Sequence, residues 1–213
     1  MKIAIFGTKE NGELAAYYLR KDERSLKDLV FIEDSPSVQS VDGINVLSRY
    51  EFLSNYSSTE WQIFAPLALP KNRLAIYQQF KSAGFSFYTY ISPRAELWSK
   101  DAVGENCFIQ EFNNIQYKTI VEDNCSLWAG NHVGHHSRLQ SGTTLTSHVC
   151  ISGRCNIGRS TYFGVNSSVR DGITITEGSF IAMSATVTAD IELGGVYIGS
   201  PATYRKPVLD LLG

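Results

Sequence analysis

Three of the chain's four histidines lie in one short stretch. His132, His135 and His136 fall within GNHVGHHSRL, and His148 follows twelve residues after the last of them. Imidazole exchanges protons near neutral pH and is also a common metal ligand. The cluster is therefore compatible with either a general base or part of a metal site.

The segment that carries these histidines repeats with a period of six residues. An aliphatic residue or phenylalanine occupies every sixth position without a gap, at Ile91, Leu97, Val103, Ile109, Ile115, Val121, Leu127, Val133, Leu139, Leu145, Ile151, Ile157, Phe163, Val169, Ile175, Ile181, Val187 and Leu193. Neither an α-helix nor an alternating strand has this period, so each hexad is predicted to form one short strand and one corner. Three strands then close a triangular coil of eighteen residues, and coils stack about 4.8 Å apart. Residue n is expected to lie against residue n+18, which places His135 against Gly153.

A second hexad position holds mostly small residues. The fourth residue after each aliphatic is usually Cys, Asn, Ser, Thr or Ala, as a tight inner corner requires, although Val149, Ile173 and Ile191 also fall there. Three of the four cysteines, Cys107, Cys125 and Cys155, occupy this position. They are predicted to be buried fillers rather than disulfide partners or metal ligands.

Residues 1 to about 90 follow a different pattern. Short apolar strands alternate with helix-like segments, from KIAIF and GELAAYYLRKD through LVFIED to PKNRLAIYQQFKSAG. This alternation predicts a small parallel sheet covered by helices, a Rossmann-like α/β half. The expected domains are residues 1–90 and residues 91–213. Arg73, in the last helix-like segment, is expected to be solvated.

The turn after the first strand has the features of an anion site. In KIAIFGTKENGELA, Gly7 and Gly12 bracket a turn that leads into a helix N-terminus, where backbone N–H groups favour phosphate. The G-x4-G spacing is looser than the dinucleotide fingerprint, so NAD is not expected. Asp34 closes the second strand, where an acidic residue is either a ligand contact or a turn former.

Composition excludes several function classes. The net charge is −2 and the pI is about 6.1, so no basic surface for nucleic acid is expected. No apolar run approaches the ~18 residues of a membrane span, and the first residues carry no cleavage-site pattern. A cytoplasmic protein that binds neither nucleic acid nor membrane is the expectation.

The hexad pattern resembles that of the hexapeptide-repeat acyltransferases. The combination of the glycine turn, VGHHS, HVCISGRCNIG and IGSPA is similar to that of bacterial nucleotide-amino-sugar N-acetyltransferases, a group that includes sialic acid O-acetyltransferases. The resemblance implies an α/β Rossmann-like domain followed by a left-handed parallel β-helix, assembled as a homotrimer. It also implies acetyl-CoA in a groove between two prisms, a nucleotide-linked amino sugar in the Rossmann-like half, no metal, and a role in surface-glycan synthesis.

The resemblance assigns the candidate site residues. The family's catalytic base falls on His135, and its oxyanion donor falls on Gly153, whose missing side chain lets a thioester approach the backbone N–H. His136 stands where related enzymes often carry a carboxylate, and it is either a catalytic residue or a substrate contact. The expected cofactor contacts are Thr144, Gly153, Val165, Ala182, Met183, Pro201 and Arg205. The expected substrate contacts are Gly7, Thr8, Lys9, Gly12, Asp34 and His148.

Three alternatives stay open. Acetylation of a sialic-acid-type hydroxyl would use the same base, and a non-catalytic β-helix scaffold would leave His135 without a chemical role. The γ-class carbonic anhydrases bind zinc through three histidines on a β-helix, but with a different ligand spacing. Zinc is therefore disfavoured, with a site shared by His132, His135 and a neighbouring chain as the remaining possibility.

Overall fold

A computed structural model describes residues 1–208, and every structural statement below concerns this part of the chain. The first half is a five-stranded sheet with three helices. The strands are β1 Lys2–Phe6, β2 Asp28–Glu33, β3 Ser40–Val41, β4 Ile44–Ser48 and β5 Trp61–Phe64, and the helices are α1 Glu10–Asp22, α2 Arg49–Asn55 and α3 Pro70–Ser82. The sheet order is β3-β4-β2-β1-β5, and β3 alone of the five pairs antiparallel.

Local sequence explains where these elements begin and which faces they cover. The β1 residues Ile3 and Ile5 pack under α1, whereas Ala4 and Phe6 face α2 and α3, so the strand is apolar on both sides. The Ser48 hydroxyl accepts a hydrogen bond from a first-turn N–H of α2, and Pro70 opens α3, where a missing N–H costs nothing. The α/β half is thus a helix–sheet–helix sandwich.

The second half is a parallel β-helix with three faces. Face I contains Tyr90–Ile91, Phe108–Ile109, Ser126–Leu127, Thr144–Leu145, Tyr162–Phe163, Phe180–Ile181 and Val196–Ile198, with Thr203–Lys206 added antiparallel. Face II contains Glu96–Leu97, Asn114–Ile115, His132–Val133, Cys150–Ile151, Ser168–Val169 and Thr186–Val187. Face III contains Ile120–Val121, Arg138–Leu139, Asn156–Ile157 and Thr174–Ile175. A short 3-10 helix, Lys100–Ala102, precedes the bridge of Val103 to Val121 that extends face III.

Each face turns into the next at a corner, named here by the faces it joins. The I–II corner comprises residues 110–113, 128–131, 146–149, 164–167 and 182–185, and the II–III corner comprises residues 116–119, 134–137, 152–155 and 170–173. The III–I corner comprises residues 122–125, 140–143, 158–161 and 176–179. As far as Val187, strands of successive coils pair with a constant offset of eighteen residues, as in Ile109 with Leu127 and Val133 with Ile151. The predicted coil length is confirmed for this region.

Burial follows the hexad. The aliphatic positions from Ile109 to Val187 are at most 3% exposed, and so are the small residues at the fourth positions from Cys107 to Ala185. Cys107, Cys125 and Cys155 are buried free thiols, as predicted, and Cys150 is exposed on face II. Burial raises the pKa of the Cys125 and Cys155 thiols, which keeps them protonated and chemically quiet.

The last coil departs from the predicted period. Ile175 pairs with Ile191 and Phe180 with Val196, so this coil has sixteen residues rather than eighteen. Leu193, predicted to point inward, is 60% exposed, and Ile191 is only 5% exposed. The prediction for Leu193 was wrong because two residues are missing from the turn after Val187, which moves the inward position from residue 193 to residue 191.

Arg73 was predicted to be solvated and is instead buried, at 1% exposed. It joins α3 to the β-helix through the Nε and Nη2 atoms of its guanidinium group. Its Nε donates to the carbonyl of Asn124 at 2.8 Å, and its Nη2 donates to the carbonyl of Gly142 and the hydroxyl of Thr144, each at 3.0 Å. Its Nη1 donates to the carbonyl of Leu67 at 2.5 Å. Desolvation lowers the pKa of Arg73 to about 10, so the side chain is still charged at neutral pH.

A second set of contacts fastens α1 to the β-helix from the other side of the sheet. The phenol of Tyr18 on α1 donates to Glu111 at 2.5 Å, and the phenol of Tyr90 on face I donates to Asp22 at 2.5 Å. Desolvation, followed by the hydrogen bond to a carboxylate, raises the pKa of both phenols. The two halves are therefore tied together on both faces of the α/β sheet. Within residues 1–208, no helix is long and apolar enough to cross a membrane.

Candidate functional site

His135 lies against Gly153, as the eighteen-residue register predicts. A Cβ built on Gly153 would sit 2.7 Å from Cε1 and 2.9 Å from Nε2 of the His135 ring. Both residues belong to the II–III corner, on successive coils, and the Arg154 N–H donates to the His135 carbonyl at 2.8 Å. The imidazole occupies the space that any side chain at position 153 would need.

The backbone of Gly153 offers a free donor at the same place. Its carbonyl accepts from the Gly172 N–H at 2.9 Å, whereas its own N–H has no hydrogen-bond acceptor among residues 1–208. The N–H groups of the two neighbouring residues are both paired, since the Ser152 N–H donates to Val169 and the Arg154 N–H to His135. Acyl transfer requires a hydrogen-bond donor and a general base, and an unpaired N–H beside an imidazole supplies both.

His136 touches the other side of the His135 ring. The two Nδ1 atoms are 3.1 Å apart, which fits a hydrogen bond in which one imidazole donates and the other accepts. The His136 ring also packs edge to face on Tyr117, with centroids 5.9 Å apart. When His135 carries its proton on Nδ1 and donates to His136, its Nε2 lone pair faces Gly153. The second histidine thus contacts the His135 ring at the nitrogen farther from Gly153.

Two further polar side chains lie next to Gly153 or His135, and sequence reasoning did not single them out. Asp171 Oδ1 lies 2.9 Å from the same Cβ position of Gly153, on the coil beyond it. Gln116 Oε1, on the coil before, accepts a hydrogen bond from the His135 N–H at 3.2 Å. Asp171 is eighteen residues after Gly153, so the register that relates His135 to Gly153 could have found it.

A groove of 810 Å³ opens beside His136 along the start of face III. Its wall includes Trp98, Lys118 and Ile120, and Trp98 and Tyr117 form an edge-to-face pair above it. These aromatic side chains are 43% and 58% exposed. The histidine pair therefore stands at the edge of an open, partly apolar surface.

Three of the expected cofactor contacts lie on a different edge of the prism from His135 and Gly153. Val165, Ala182 and Met183 lie together on the I–II corner, where the Ser184 N–H donates to the Val165 carbonyl at 2.9 Å. Met183 is 71% exposed. Face II separates this group from His135 and Gly153, so a single chain does not bring the two sets together.

The remaining expected cofactor residues divide into one buried and two exposed. Thr144 is 1% exposed, and its hydroxyl accepts a hydrogen bond from Arg73, so the structure does not bring it to a ligand surface. Its side chain serves the junction between the halves because α3 covers this part of face I. Pro201 and Arg205 are exposed near and within the closing strand Thr203–Lys206.

His148 belongs with the I–II corner rather than with the other histidines. Its ring lies against Gly130, where a Cβ would be 2.7 Å from both Cε1 and Nδ1. His132 lies in a face II strand beside Cys150. Within residues 1–208, no group of three or more His, Cys, Asp or Glu side chains could hold a metal ion.

The α/β half contains a pocket of 1020 Å³ at its glycine turn. Gly7, Thr8, Lys9 and Gly12 all line it. Gly7 has φ +100°, and a Cβ on Gly12 would be 1.9 Å from the Gly7 carbonyl oxygen, so the two glycines let α1 start directly against the end of β1.

The polar side chains of this pocket are largely committed to one another. The Thr8 N–H and hydroxyl both donate to Glu33 Oε1 at 2.7 Å, which leaves Thr8 without a free donor for a ligand. Asp34 pairs with Arg49 at 2.5 Å. Sequence reasoning missed Glu33 and Arg49, although Glu33 is the neighbour of Asp34 at the end of β2.

The charged side chains of the glycine-turn pocket, and Trp128 in its wall, limit what the pocket can bind. Four carboxylates line it, at Glu10, Glu13, Glu33 and Asp34, against the cations Lys9 and Arg49. An anionic group therefore has to be held by the backbone N–H groups at the start of α1 together with these two cations. Trp128, on the I–II corner, supplies the β-helix side of the wall.

Comparison with known proteins finds this fold in solved structures. The acetyltransferase domain of PglB from Neisseria gonorrhoeae FA1090, in complex with acetyl coenzyme A, has a TM-score of 0.88 at 22% identity, over 96% of this chain and 98% of that chain. PerB from Caulobacter crescentus, in complex with CoA and GDP-perosamine, has a TM-score of 0.85 at 20% identity, over 96% and 97% of the two chains. WeeI from Acinetobacter baumannii AYE has a TM-score of 0.65 at 19% identity, over 95% and 99%.

No family model and no curated protein matches the sequence. The structural likeness nevertheless extends over both halves, since it covers 96% of the chain in two of these pairs. The α/β sheet and the β-helix of this chain therefore form the fold seen in these solved structures.

Proposed function

We propose that this protein transfers acetyl from acetyl-CoA to the amino group of a nucleotide-linked amino-deoxy sugar, as a step in surface-glycan synthesis. The observation that carries the proposal is the contact of the His135 imidazole with Gly153, whose N–H is unpaired. The proposal draws further support from the fold, which is that of structures bound to acetyl-CoA, and to CoA with GDP-perosamine. A cytoplasmic location agrees with these substrates.

The architecture proposed for this enzyme has two domains. Residues 1–90 form a Rossmann-like domain for the nucleotide sugar, and residues 91–213 form a left-handed β-helix for acetyl transfer. The parallel order of β4, β2, β1 and β5, with helices on both faces, supports the first assignment. Part of the second domain, residues 209–213, lies outside the described residues.

The proposed chemistry uses three groups of the II–III corner. The neutral amine attacks the thioester carbonyl carbon, and the Gly153 N–H donates to the oxygen, which becomes negative. His135 Nε2 takes the proton that the attacking nitrogen must lose, and His136 accepts the Nδ1–H of the same ring. Collapse of the intermediate breaks the C–S bond, and the proton on His135 passes to the CoA thiolate. The products are the acetamido sugar and CoA thiol.

The site is proposed to be completed by a second copy of the chain in a homotrimer. Val165, Ala182 and Met183 lie across face II from His135, so a cofactor touching both sets needs two prisms side by side. The 71% exposure of Met183 fits a residue that meets CoA or another chain. A groove between two prisms would also shield the thioester from water. Pro201 and Arg205 are proposed to contact the distal end of CoA.

The nucleotide is proposed to occupy the glycine-turn pocket. Gly7, Lys9 and Gly12 supply the turn and a cation, and Arg49 is a further cation within the pocket. Asp34 is proposed to contact the nucleoside after its ion pair with Arg49 opens. The Trp128 indole offers a flat apolar surface on the β-helix side. His148, on the same corner as Trp128, is proposed to contact the sugar or CoA.

A thiol-release assay tests the function. The wild-type protein is supplied with acetyl-CoA and a panel of UDP-, dTDP- and GDP-linked amino sugars, each paired with its hydroxyl analogue. We expect CoA thiol only with an amine acceptor, and a loss of about 100-fold or more in kcat for His135→Asn while the oligomer stays intact. Thiol release only with hydroxyl acceptors would assign O-acetylation instead. Unchanged activity of His135→Asn would leave the β-helix without the proposed base.

A further inference from the structure

We infer that Asp171 binds the amino group of the acceptor and makes the site select a protonated amine over a hydroxyl. This inference rests on the proposed acetyl transfer and names a residue that sets its acceptor class. Asp171 stands on the coil beyond Gly153, on the II–III corner that also carries His135.

The geometry gives one nitrogen two partners. His135 Nε2 and Asp171 Oδ1 each lie 2.9 Å from the Cβ position of Gly153, the first on the coil before it and the second on the coil after it. The two atoms are therefore less than about 6 Å apart, so one amine at this corner has both an imidazole nitrogen and a carboxylate oxygen close to it. Gly153 itself is buried and the imidazole fills its Cβ position, so the acceptor nitrogen approaches the two groups from the solvent side, where Asp171 is 53% exposed.

The charge of Asp171 suits an ammonium group. A primary amine is mostly protonated at neutral pH and carries three donors, whereas a sugar hydroxyl is uncharged. Asp171 already faces a cation, Arg154, at 3.2 Å, but the two side chains are 53% and 64% exposed. An ion pair that is this exposed contributes little stability, so an incoming ammonium can displace it.

The inferred role accounts for the first proton of the reaction. The ammonium nitrogen has no lone pair and must lose one proton before it attacks the thioester. Bound to the exposed carboxylate, it releases that proton to water, and the lone pair it gains points toward the acetyl carbon. The second proton leaves after attack and travels through His135 to the thiolate. One proton therefore appears in solution for each CoA thiol.

The test is a comparison of Asp171→Asn with Glu177→Gln. Both variants remove one exposed carboxylate from a β-helix corner, but Glu177 is on the III–I corner, away from His135. Each is assayed with acetyl-CoA and the amino sugar that the wild type accepts best. We expect Asp171→Asn to raise KM for the amino sugar about 10- to 100-fold, the loss of one charge-assisted hydrogen bond, with KM for acetyl-CoA unchanged. Asp171→Glu should recover part of the loss, and Glu177→Gln should match wild type.

The hydroxyl analogue supplies the specificity readout. Any slow transfer to it should be unaffected or faster in Asp171→Asn, so the ratio of amine to hydroxyl transfer should fall. An active wild type whose KM and acceptor ratio are unchanged by Asp171→Asn would overturn this inference and leave the proposed function standing. A wild type that releases no thiol with any amino sugar would overturn both.

Discussion

Replacement of Arg73 by methionine should unfold the junction between the two halves. The guanidinium donates to the carbonyls of Asn124, Gly142 and Leu67 and to the hydroxyl of Thr144, and it is 1% exposed. Methionine fills a similar volume and donates to none of them. Each buried acceptor left without its partner costs about 1–3 kcal/mol, partly offset because the desolvation of a buried charge is relieved.

The net expectation for Arg73→Met is a loss of about 3–5 kcal/mol in the free energy of unfolding. For a chain of this size, a loss of 1 kcal/mol lowers Tm by about 2–4 °C, so Tm should fall by roughly 6–20 °C. Circular dichroism on heating and urea titration at pH 7 measure both quantities. Arg73→Lys should also be destabilised, because an ammonium cannot supply the guanidinium's fork of donors.

Lys71→Met is the matched control, since Lys71 is an exposed residue of the same helix. We expect Lys71→Met to change the free energy of unfolding by no more than about 0.5 kcal/mol, with a correspondingly small change in Tm. A Tm for Arg73→Met within 2 °C of this control would mean that the carbonyls of Asn124 and Gly142 do not depend on the guanidinium. The view that α3 is fastened to the β-helix by Arg73 would then be refuted.

Three other outcomes are expected. Gly153→Ala should displace the His135 ring by about 1 Å and lower kcat/KM about 100-fold. In a His135→Asn background the same change should lower kcat/KM little further, and losses that add up would argue against a shared cause. Ile191→Asp should lower the free energy of unfolding by about 3 kcal/mol or more, while Leu193→Asp stays within about 0.5 kcal/mol, as urea titrations will tell. The raised pKa of the Tyr90 phenol contributes stability that is fully present below pH 10 and lost as pH rises further, so Tyr90→Phe should flatten the alkaline decline seen by circular dichroism.

Much of the β-helix was predictable because its signal repeats. One inward aliphatic per six residues appears in coil after coil, so a single wrong residue cannot hide the period, and the contact of His135 with Gly153 follows from it. The last coil was not predictable in this way. Leu193 keeps the hexad in the sequence, but the turn after Val187 is two residues shorter, and only the paired strands reveal that Ile191 has taken the inward position.

The parts of the site that depend on backbone register were predictable, whereas the hydrogen-bond partners of individual side chains were not. The glycine turn reads directly from Gly7 and Gly12, because both lack the atom that would block α1. Nothing in the local sequence indicates that the N–H and hydroxyl of Thr8 both donate to Glu33. Nor does it say that Arg73 points into the junction, since an arginine in a helix of mixed polarity is compatible with either face.

The fastening of α1 and α3 on opposite faces of the α/β sheet leaves the chain without a hinge between its halves. Tyr18 and Tyr90 act on one face, and Arg73 acts on the other, so a rocking motion would have to break buried contacts on at least one of them. The glycine turn is consequently held at a constant distance from Trp128 on the I–II corner. In the proposed reaction, the flexible linkers that bridge the remaining gap belong to the substrates, as the diphosphate of one and the pantetheine arm of the other.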